Sequence, residues 1–171
     1  MKYMVISDIH GAIDSLNRVL DIYIEEKCSK LLILGDLFNY GIDYYRDDII
    51  DKLNQISDRI IVVSGNCDNN LVGILFNMPY TYEININNKQ LFLTHGHLYT
   101  KEYLSKISSD IIYIGHSHIA YIEKIGNKIF ANPGSISKPR RGEKSFIIAD
   151  EKSISIRSLD NEILEELSII N

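Results

Sequence analysis

Aspartate, asparagine and histidine side chains follow short apolar runs at five places in the sequence. The five segments are Asp8-Ile9-His10-Gly11, Gly35-Asp36, Gly65-Asn66-Cys67-Asp68, Thr94-His95-Gly96-His97 and Gly115-His116-Ser117-His118. Carboxylate, amide oxygen and neutral imidazole together suit divalent ions of intermediate hardness, such as Mn, Fe, Co, Ni or Zn. Taken alone, each segment has an ordinary explanation as a turn, a helix start or a surface histidine. Five of them at the same position relative to an apolar run favour a metal site.

Apolar runs that alternate with amphipathic segments predict the elements that position the first three of these segments. Strands are predicted over Tyr3–Ser7, Lys30–Leu34 and Arg59–Ser64. Between them, apolar residues at helical spacing predict helices over Ile13–Glu26 and Tyr44–Ile56. Strands that alternate with helices are typical of βαβ units around a parallel sheet.

The second half of the sequence is dominated by strand-like runs. One hairpin is predicted around Asn87–Lys89 and another around Gly126–Asn127, because turn residues separate two such runs at both places. An apolar strand over Ile111–Ile114 lies between the hairpins, and short runs continue from Ser145 to the C-terminus. We expect one α/β domain over residues 1–171, with a βαβαβ first half and a mainly antiparallel second half.

The predicted sheet would bring the polar segments together. In an open α/β sheet, ligands bind beyond the carboxyl ends of the strands. The interval from Asp8 to Asp36 is 28 residues, from Asp36 to Asn66 30 residues, and from Asn66 to His95 29 residues. Each interval is about one βα unit long, so the chain returns to the same edge each time. We therefore expect two aspartates, an asparagine and several histidines at one edge of the sheet.

Composition limits the other functions that are open to the chain. Its 171 residues carry a formal net charge of -5, whereas a general nucleic-acid-binding protein presents a basic face. Two cysteines, Cys28 and Cys67, are too few for a disulfide framework. The sequence shows no signal peptide and no apolar run long enough to span a membrane. We expect a cytoplasmic protein that binds neither membranes nor nucleic acids.

Read in order, the five polar segments resemble the motifs of the calcineurin-like metallophosphoesterase superfamily. The sequence carries DIHG, GDLFNYG, GNCD, THGH and GHSH between Asp8 and His118. Its length and the segment Asn132-Pro133-Gly134-Ser135 are similar to the small YfcE-type phosphodiesterases, a subgroup of that superfamily. The resemblance implies a four-layer α/β/β/α sandwich, in which two mixed β-sheets pack face to face and helices flank them.

The resemblance also implies a site for two divalent metal ions, with manganese as the expected metal and Ni, Fe, Co or Zn as alternatives. Seven ligands are implied: one ion is bound by Asp8, His10 and His118, the other by Asn66, His95 and His116, and both by Asp36. The expected reaction is hydrolysis of a small phosphodiester by a hydroxide that bridges the two ions. The residues expected to serve this reaction directly are Asp36, Asn66 and His97.

Three further residues near the motifs carry separate expectations. His97 is implied to face the substrate rather than to bind metal. Many members of the superfamily have a histidine in the third motif that protonates the leaving group or holds the substrate, and this sequence has Cys67 there. A thiol is a poor acid for that step, so the chain lacks the usual proton donor. Asp68, which would orient such a histidine, is expected to brace the loop.

Several alternatives stay open at the level of sequence. A phosphomonoesterase or protein phosphatase would use the same ligands, although the missing histidine and the small size favour phosphodiesters. A non-catalytic scaffold of the same fold would lose ligands, whereas every ligand position is filled here. Lys138, Arg140 and Arg141 form either a solvated loop or a contact to phosphate or a partner. Clustered exposed residues among the 11 tyrosines would suit an interface in a homodimer or a larger homo-oligomer.

Overall fold

The computed structural model describes residues 1–39, 47–68 and 78–170. No helix within these residues is long and apolar enough to cross a membrane. In chain order, the described elements are β1 (Tyr3–Ile6), α1 (Ile13–Glu25), β2 (Lys30–Ile33), α2 (Asp47–Asn54), β3 (Ile60–Val62), β4 (Thr81–Ile86), β5 (Lys89–Thr94), α3 (Lys101–Ser105), β6 (Ile111–Ile114), β7 (Tyr121–Ile125), β8 (Lys128–Asn132), β9 (Ser145–Ala149), β10 (Ser153–Ser158) and β11 (Ile163–Ser168). The strands form a six-stranded sheet, β11-β10-β9-β1-β2-β3, and a five-stranded sheet, β4-β5-β6-β8-β7.

The first half of the chain builds the parallel part of the six-stranded sheet. β1 pairs with β2, and β2 pairs with β3, both in parallel register. α1 is held by a stripe of buried residues at helical spacing, Leu16, Val19 and Ile22. The predicted βαβαβ order is confirmed. The helix predicted over residues 44–56 is α2 over residues 47–54, and residues 55 and 56 form a turn instead. Residues 44–46 lie outside the described residues, as does Gly41 of the GDLFNYG motif.

The second half of the chain contributes to both sheets. β9, β10 and β11 extend the six-stranded sheet beyond β1 in antiparallel register. In the other sheet, β5, β6 and β8 are parallel neighbours, and β4 and β7 are their antiparallel hairpin partners at the two edges. Asn87 and Asn88 turn the first hairpin with φ angles of 53° and 60°, and a type I′ turn needs positive φ at both positions. Both predicted hairpins are confirmed.

Buried side chains form three apolar clusters, one between each pair of neighbouring layers. Alternate residues of β1 point to opposite faces: Met4 and Ile6 join the cluster under α1 and α2, whereas Tyr3 and Val5 lie between the two sheets. A smaller cluster that includes Leu104 packs α3 on the outer face of the five-stranded sheet. The layer order of helices, sheet, sheet and helix confirms the four-layer α/β/β/α fold.

The strands that precede the polar segments belong to two sheets, so the expectation of one common edge was wrong. β1, β2 and β3 lie in the six-stranded sheet, whereas β5 and β6 lie in the five-stranded sheet. Equal intervals between the polar segments indicate that the chain returns to the same end of the molecule. They do not indicate which of two stacked sheets a strand joins, because that depends on tertiary pairing. The carboxyl ends of all five strands nevertheless meet at one end of the sandwich.

A hydrogen bond between two tyrosines links the sheets within the core. The hydroxyl oxygens of Tyr3 in β1 and Tyr113 in β6 are 2.9 Å apart, and the rings pack edge to face. Burial raises the pKa of Tyr3 to about 12 and raises the pKa of Tyr113 well above its usual value. Both hydroxyls therefore keep their protons, and neither oxygen lacks a partner in a region closed to water.

Removing both of these hydroxyls should cost less stability than the sum of the costs of removing each one alone. Tyr3→Phe or Tyr113→Phe leaves one buried hydroxyl without a partner, which typically costs about 1–3 kcal/mol. The double variant leaves no orphaned group, so its loss should be smaller than the sum of the two single losses. Urea denaturation of the metal-free protein measures the three free energies of unfolding. Strictly additive losses would show that the two hydroxyls do not depend on each other.

Candidate metal centre

The predicted ligand residues lie just beyond the strand ends, in a strained backbone. Five of them have left-handed φ angles: Asp8 56°, His10 46°, Asp36 53°, His116 66° and His118 57°. Residues other than glycine rarely adopt left-handed φ angles, and each one that does typically costs about 1–3 kcal/mol of folding free energy. Strain of this kind persists only where surrounding contacts hold it, and it is concentrated at functional sites.

A first group of ligand atoms comes from Asp8, His10 and His118. The Nε2 atom of His118 lies 3.1 Å from Oδ1 of Asp8, and the Nε2 atom of His10 lies 3.7 Å from the same oxygen. The two Nε2 atoms are 3.2 Å apart. Oδ1 of Asp8 is buried and has no well-aligned hydrogen bond among the described residues. One carboxylate oxygen and two imidazole nitrogens thus converge on one point, as they do around a metal ion.

A second group comes from Asn66, His95 and His116. The Nε2 atom of His95 lies 3.0 Å from Oδ1 of Asn66, and the ring of His116 packs 5.1 Å from the ring of His95, centroid to centroid. An amide oxygen and two imidazoles are therefore gathered beside the first group. The structure brings together all seven side chains that the sequence predicted as ligands.

Asp36 lies between the two groups. Its Oδ2 atom is 3.7 Å from Nε2 of His10 in the first group and 3.4 Å from Nε2 of His95 in the second. Its Oδ1 atom accepts a hydrogen bond of 2.8 Å from the backbone N–H of Cys67. One oxygen is thus fixed by the backbone while the other faces both groups. This is the position that a bridging carboxylate would need.

The histidines keep the two buried carboxylates ionised. Burial opposes the charge of Asp8, but the imidazoles of His10 and His118 beside it hold its pKa well below the usual value. Burial likewise opposes the charge of Asp36, and His95 lowers its pKa. The centre therefore carries concentrated negative charge at neutral pH, which attracts cations.

Two backbone carbonyls orient the histidines of the centre. The Nδ1–H group of His95 donates to the carbonyl of Leu34 at 2.7 Å, and that of His118 donates to the carbonyl of Lys138 at 2.6 Å. Because a carbonyl can only accept, the proton of each neutral ring is held on Nδ1 and the lone pair is left on Nε2. Partners of this kind commonly orient the histidine ligands of metals.

Asp68 braces the loop that carries the bridge, and this expectation is confirmed. Its Oδ2 atom accepts hydrogen bonds of 2.8 Å from the N–H groups of Asp36 and Gly65, and its Oδ1 atom accepts one of 2.8 Å from Leu37. Gly65 is required here, since a Cβ atom at that position would lie 2.1 Å from Oδ1 of Asp36. The carboxylate of Asp68 thus fixes the left-handed backbone of Asp36.

Two serines hold Asp8 in a way that the sequence did not predict. The hydroxyls of Ser135 and Ser137 both donate to the carbonyl of Asp8 at 2.8 Å. Ser135 is the last residue of the NPGS segment, whose resemblance to the YfcE-type phosphodiesterases does not imply this role. The sequence carries no signal for these bonds, because the serines lie far along the chain from Asp8.

His97 and Cys67 lie beside the ligand groups. The ring of His97 is 5.3 Å from that of His95 and 6.1 Å from that of Tyr80, and its buried Nδ1 atom has no hydrogen bond among the described residues. The sulfur of Cys67 lies within 4.8 Å of ligand atoms of His10 and Asp36. The sequence predicted Cys67 as a poor proton donor in place of the motif histidine, but it did not predict a sulfur this near two ligand atoms.

Known proteins share this sequence pattern. The profile of the calcineurin-like phosphoesterase superfamily domain matches residues 1–153. Phosphodiesterase YfcE of Escherichia coli K12 is 33% identical over an alignment of 181 positions, which covers 99% of this chain and 98% of that protein. The probable metallophosphoesterase YsnB of Bacillus subtilis 168 is 28% identical over 159 residues, which cover 86% of this chain and 83% of that protein. The chain belongs to the calcineurin-like phosphoesterase superfamily.

Solved structures share the fold. The E. coli phosphoesterase YfcE superposes with a TM-score of 0.89 at 32% identity, covering 99% of this chain and 100% of the other. A single mutant of Vps29 from Entamoeba histolytica superposes with a TM-score of 0.74 at 24% identity, covering 99% and 100%. The second likeness concerns the fold alone. The resemblance inferred from the motifs is confirmed, and the family implies divalent metal ions at this centre.

The brace formed by Asp68 should control metal affinity. In the unmodified protein, backbone N–H groups donate to both oxygens of the Asp68 carboxylate. In Asp68→Asn, an amide NH₂ group replaces one of these oxygens and cannot accept such a hydrogen bond, so the loop should shift. Partners that orient metal ligands typically change metal affinity by about 10–100-fold when mutated, and we expect a loss in this range by titration with Mn²⁺.

Asp110→Asn is the matched control for this prediction. Asp110 also accepts a backbone N–H, that of Gln90 at 2.8 Å, but it lies before β6 at the opposite end of the sandwich. The control should retain the metal affinity of the unmodified protein. Equal losses in the two variants would mean that Asp68 acts only through general stability.

Proposed function

We propose that the protein is a metal-dependent phosphodiesterase that acts on small phosphodiesters. The observation that carries the proposal is the position of Asp36, whose Oδ2 atom faces His10 on one side and His95 on the other. A carboxylate between two ligand groups suits a pair of divalent ions that share it. Similarity to a phosphodiesterase over 99% of the chain supports diesters as the substrate class.

Seven side chains are proposed to hold two ions: Asp8, His10 and His118 for one, Asn66, His95 and His116 for the other, and Asp36 for both. The buried Oδ1 atom of Asp8, which has no well-aligned hydrogen bond among the described residues, supports the fit, because an ionised oxygen in that position needs a positive partner. When bound, the ions supply a water of lowered pKa and positive charge beside the phosphoryl oxygens. Manganese is the proposed native metal, since oxygen and imidazole predominate in the ligand set.

His97 is proposed to contact the substrate directly. Its ring packs against His95 but joins neither ligand group. Burial, together with the neighbouring His95, lowers the pKa of His97, so its imidazole is neutral at pH 7. A neutral imidazole donates one hydrogen bond and accepts another. It is therefore suited to orient an oxygen of the substrate rather than to deliver a proton.

Cys67 is proposed to leave the reaction without a strong acid for the leaving group. The Nδ2 atom of Asn66 lies 3.4 Å from the sulfur of Cys67, in the place where the family motif often has a histidine. The S–H group of a thiol is a weak hydrogen-bond donor, so Cys67 is a poor source of a proton for a departing alkoxide. The protein should then favour diesters whose leaving groups are stable as anions.

The alternatives differ in what they would hydrolyse. A phosphomonoesterase or protein phosphatase would prefer monoesters, and a scaffold would hydrolyse neither class. The complete ligand set favours an enzyme over a scaffold. Burying two ionised carboxylates costs desolvation energy, and a scaffold that binds no metal would gain nothing that offsets it.

We also propose the cytoplasm as the site of action, since Cys28 and Cys67 are both outside disulfides.

Removal and return of metal tests the proposed function. Dialysis against a chelator should abolish hydrolysis of bis(p-nitrophenyl) phosphate, and Mn²⁺ should restore more activity than any other ion added singly. The monoester p-nitrophenyl phosphate, assayed in parallel, should react more slowly. Full activity in the metal-free protein, or faster turnover of the monoester, would contradict the proposal.

Two substitutions separate the bridge from the substrate contact. Asp36→Ala should abolish turnover and lower the metal content, because the residue touches both ligand groups. His97→Ala should retain both metals and lower kcat by roughly 10²-fold, the usual effect of losing one donor to a reacting group. Elemental analysis of protein purified without chelator gives the metal content. If His97→Ala lost metal and Asp36→Ala kept it, the two roles would be assigned wrongly.

The third motif predicts a steep dependence of rate on the leaving group. Without general acid help, typically worth ~10²–10⁴-fold, aryl diesters should react far faster than alkyl diesters. Cys67→His should flatten this dependence by supplying an imidazole, whereas Cys67→Ala should change it little. The rates are measured over diesters of graded leaving-group pKa. A shallow dependence that Cys67→Ala removes, or a loss of metal in that variant, would show that the thiol takes part in the site.

A further inference from the structure

The loop after β8 carries three basic residues whose surroundings differ. Lys138 is tied to the metal centre from outside: its Nζ atom donates to Oδ1 of Asn39 at 3.0 Å, and its carbonyl accepts from His118. Asn39 in turn donates from Nδ2 to the carbonyl of His10 at 3.2 Å. The ammonium of Lys138 therefore already has a structural partner beside the first ligand group.

Arg141 lies toward a different part of the surface. It lines a cleft together with Ile119 and Glu143 and with Leu164 and Glu165 of β11, the outermost strand of the six-stranded sheet. Two acidic residues share this cleft with the guanidinium. Arg141 thus shares a cleft with residues of β11 and two carboxylates, and none of the seven ligand side chains lines that cleft.

Arg140 is the basic residue of this loop that is placed at the metal centre. Its backbone N–H donates to the carbonyl of His118 at 3.0 Å, which fixes the backbone of Arg140 next to the first ligand group. Two residues earlier in the loop, the carbonyl of Lys138 accepts from Nδ1 of the same histidine, so this stretch of the loop is anchored to His118 at two points. The side chain is exposed, and within the described residues its guanidinium makes no hydrogen bond or ion pair.

We propose that Arg140 binds the phosphoryl group of the substrate at the rim of the metal centre. The guanidinium is a planar fork of N–H donors that matches two oxygens of one phosphate, and it keeps its charge at every physiological pH. The chain as a whole is acidic, with a net charge of -5, so an unpaired cation at this rim also directs anions toward the site. This assignment rests on the proposed phosphoesterase function.

The test compares neighbouring arginines in the full-length, Mn²⁺-loaded protein. Arg140→Ala keeps the backbone N–H that bonds to His118, so metal content should stay unchanged. Because the side chain is exposed, its hydrogen bond to phosphate should be at the weak end for a bond to a charged group. KM for bis(p-nitrophenyl) phosphate and the dissociation constant of inorganic phosphate, measured by calorimetry, should both rise roughly tenfold, with kcat changed less than about twofold.

Arg140→Lys and Arg141→Ala complete the experiment. Arg140→Lys keeps the charge but loses the fork, so its KM and its phosphate dissociation constant should fall between those of the unmodified protein and Arg140→Ala. Arg141→Ala, which removes the same charge from the same loop, should bind phosphate as the unmodified protein does. Equal effects of Arg140→Ala and Arg141→Ala would overturn the proposal in favour of a general charge effect. A fall in kcat or in metal content with KM unchanged would overturn it in favour of a structural role through His118.

The phosphate measurement keeps the two proposals separable. If the unmodified protein hydrolyses no ester, the proposed function fails, whereas phosphate binding still tests Arg140. If phosphate binding is the same in Arg140→Ala and the unmodified protein, the role of Arg140 is refuted whatever the esterase activity.

Discussion

Two buried carboxylates that face one point are the constraint on which the rest of the structure depends. Asp8 and Asp36 are 0% and 2% exposed, and with His95 their ligand atoms lie within 4.8 Å of one another. Burial opposes both charges, so the neighbouring imidazoles must compensate. In return, Asp8 raises the pKa of His118, and Asp36 outweighs the effect of burial to raise the pKa of His95. Proton uptake at these rings competes with metal binding, so metal affinity is linked to pH.

The fold supplies this constraint by closing two sheets over a common end. Each sheet alone would present only part of the ligand set. The ligands that follow strands of the six-stranded sheet are Asp8, His10, Asp36 and Asn66, and those that follow strands of the five-stranded sheet are His95, His116 and His118. The sharp turns after these strands put five ligand residues in left-handed backbone. That strain is offset by hydrogen bonds to the carboxylate of Asp68, in the third motif, and from the hydroxyls of Ser135 and Ser137, outside the motifs.

The sequence predicts the parts of this protein that depend on local pattern. β6 was predicted to the residue, and the ligand residues stood out because polar types recur after apolar runs. The division of the strands between two sheets did not follow from spacing, since a strand carries no mark of its tertiary neighbour. That arrangement came only from resemblance to a family of known fold.

The remaining differences concern contacts between residues that are distant in the chain. The serine hydroxyls on Asp8 and the carbonyl of Lys138 on His118 connect segments more than one element apart, and backbone carbonyls have no signature in sequence. Arg140 and Arg141 are adjacent and chemically identical, so only the path of the loop distinguishes their surroundings. Sequence thus gives the donor types of a site more readily than the groups that hold those donors in place.

The most direct test of the central claim is anomalous diffraction from a crystal of the Mn²⁺-loaded protein, collected at the manganese absorption edge. Two anomalous peaks about 3.5–4 Å apart, with Asp36 bonded to both, are the predicted result. One peak should lie among Asp8, His10 and His118, and the other among Asn66, His95 and His116. A single peak, or two peaks that Asp36 does not join, would contradict the account.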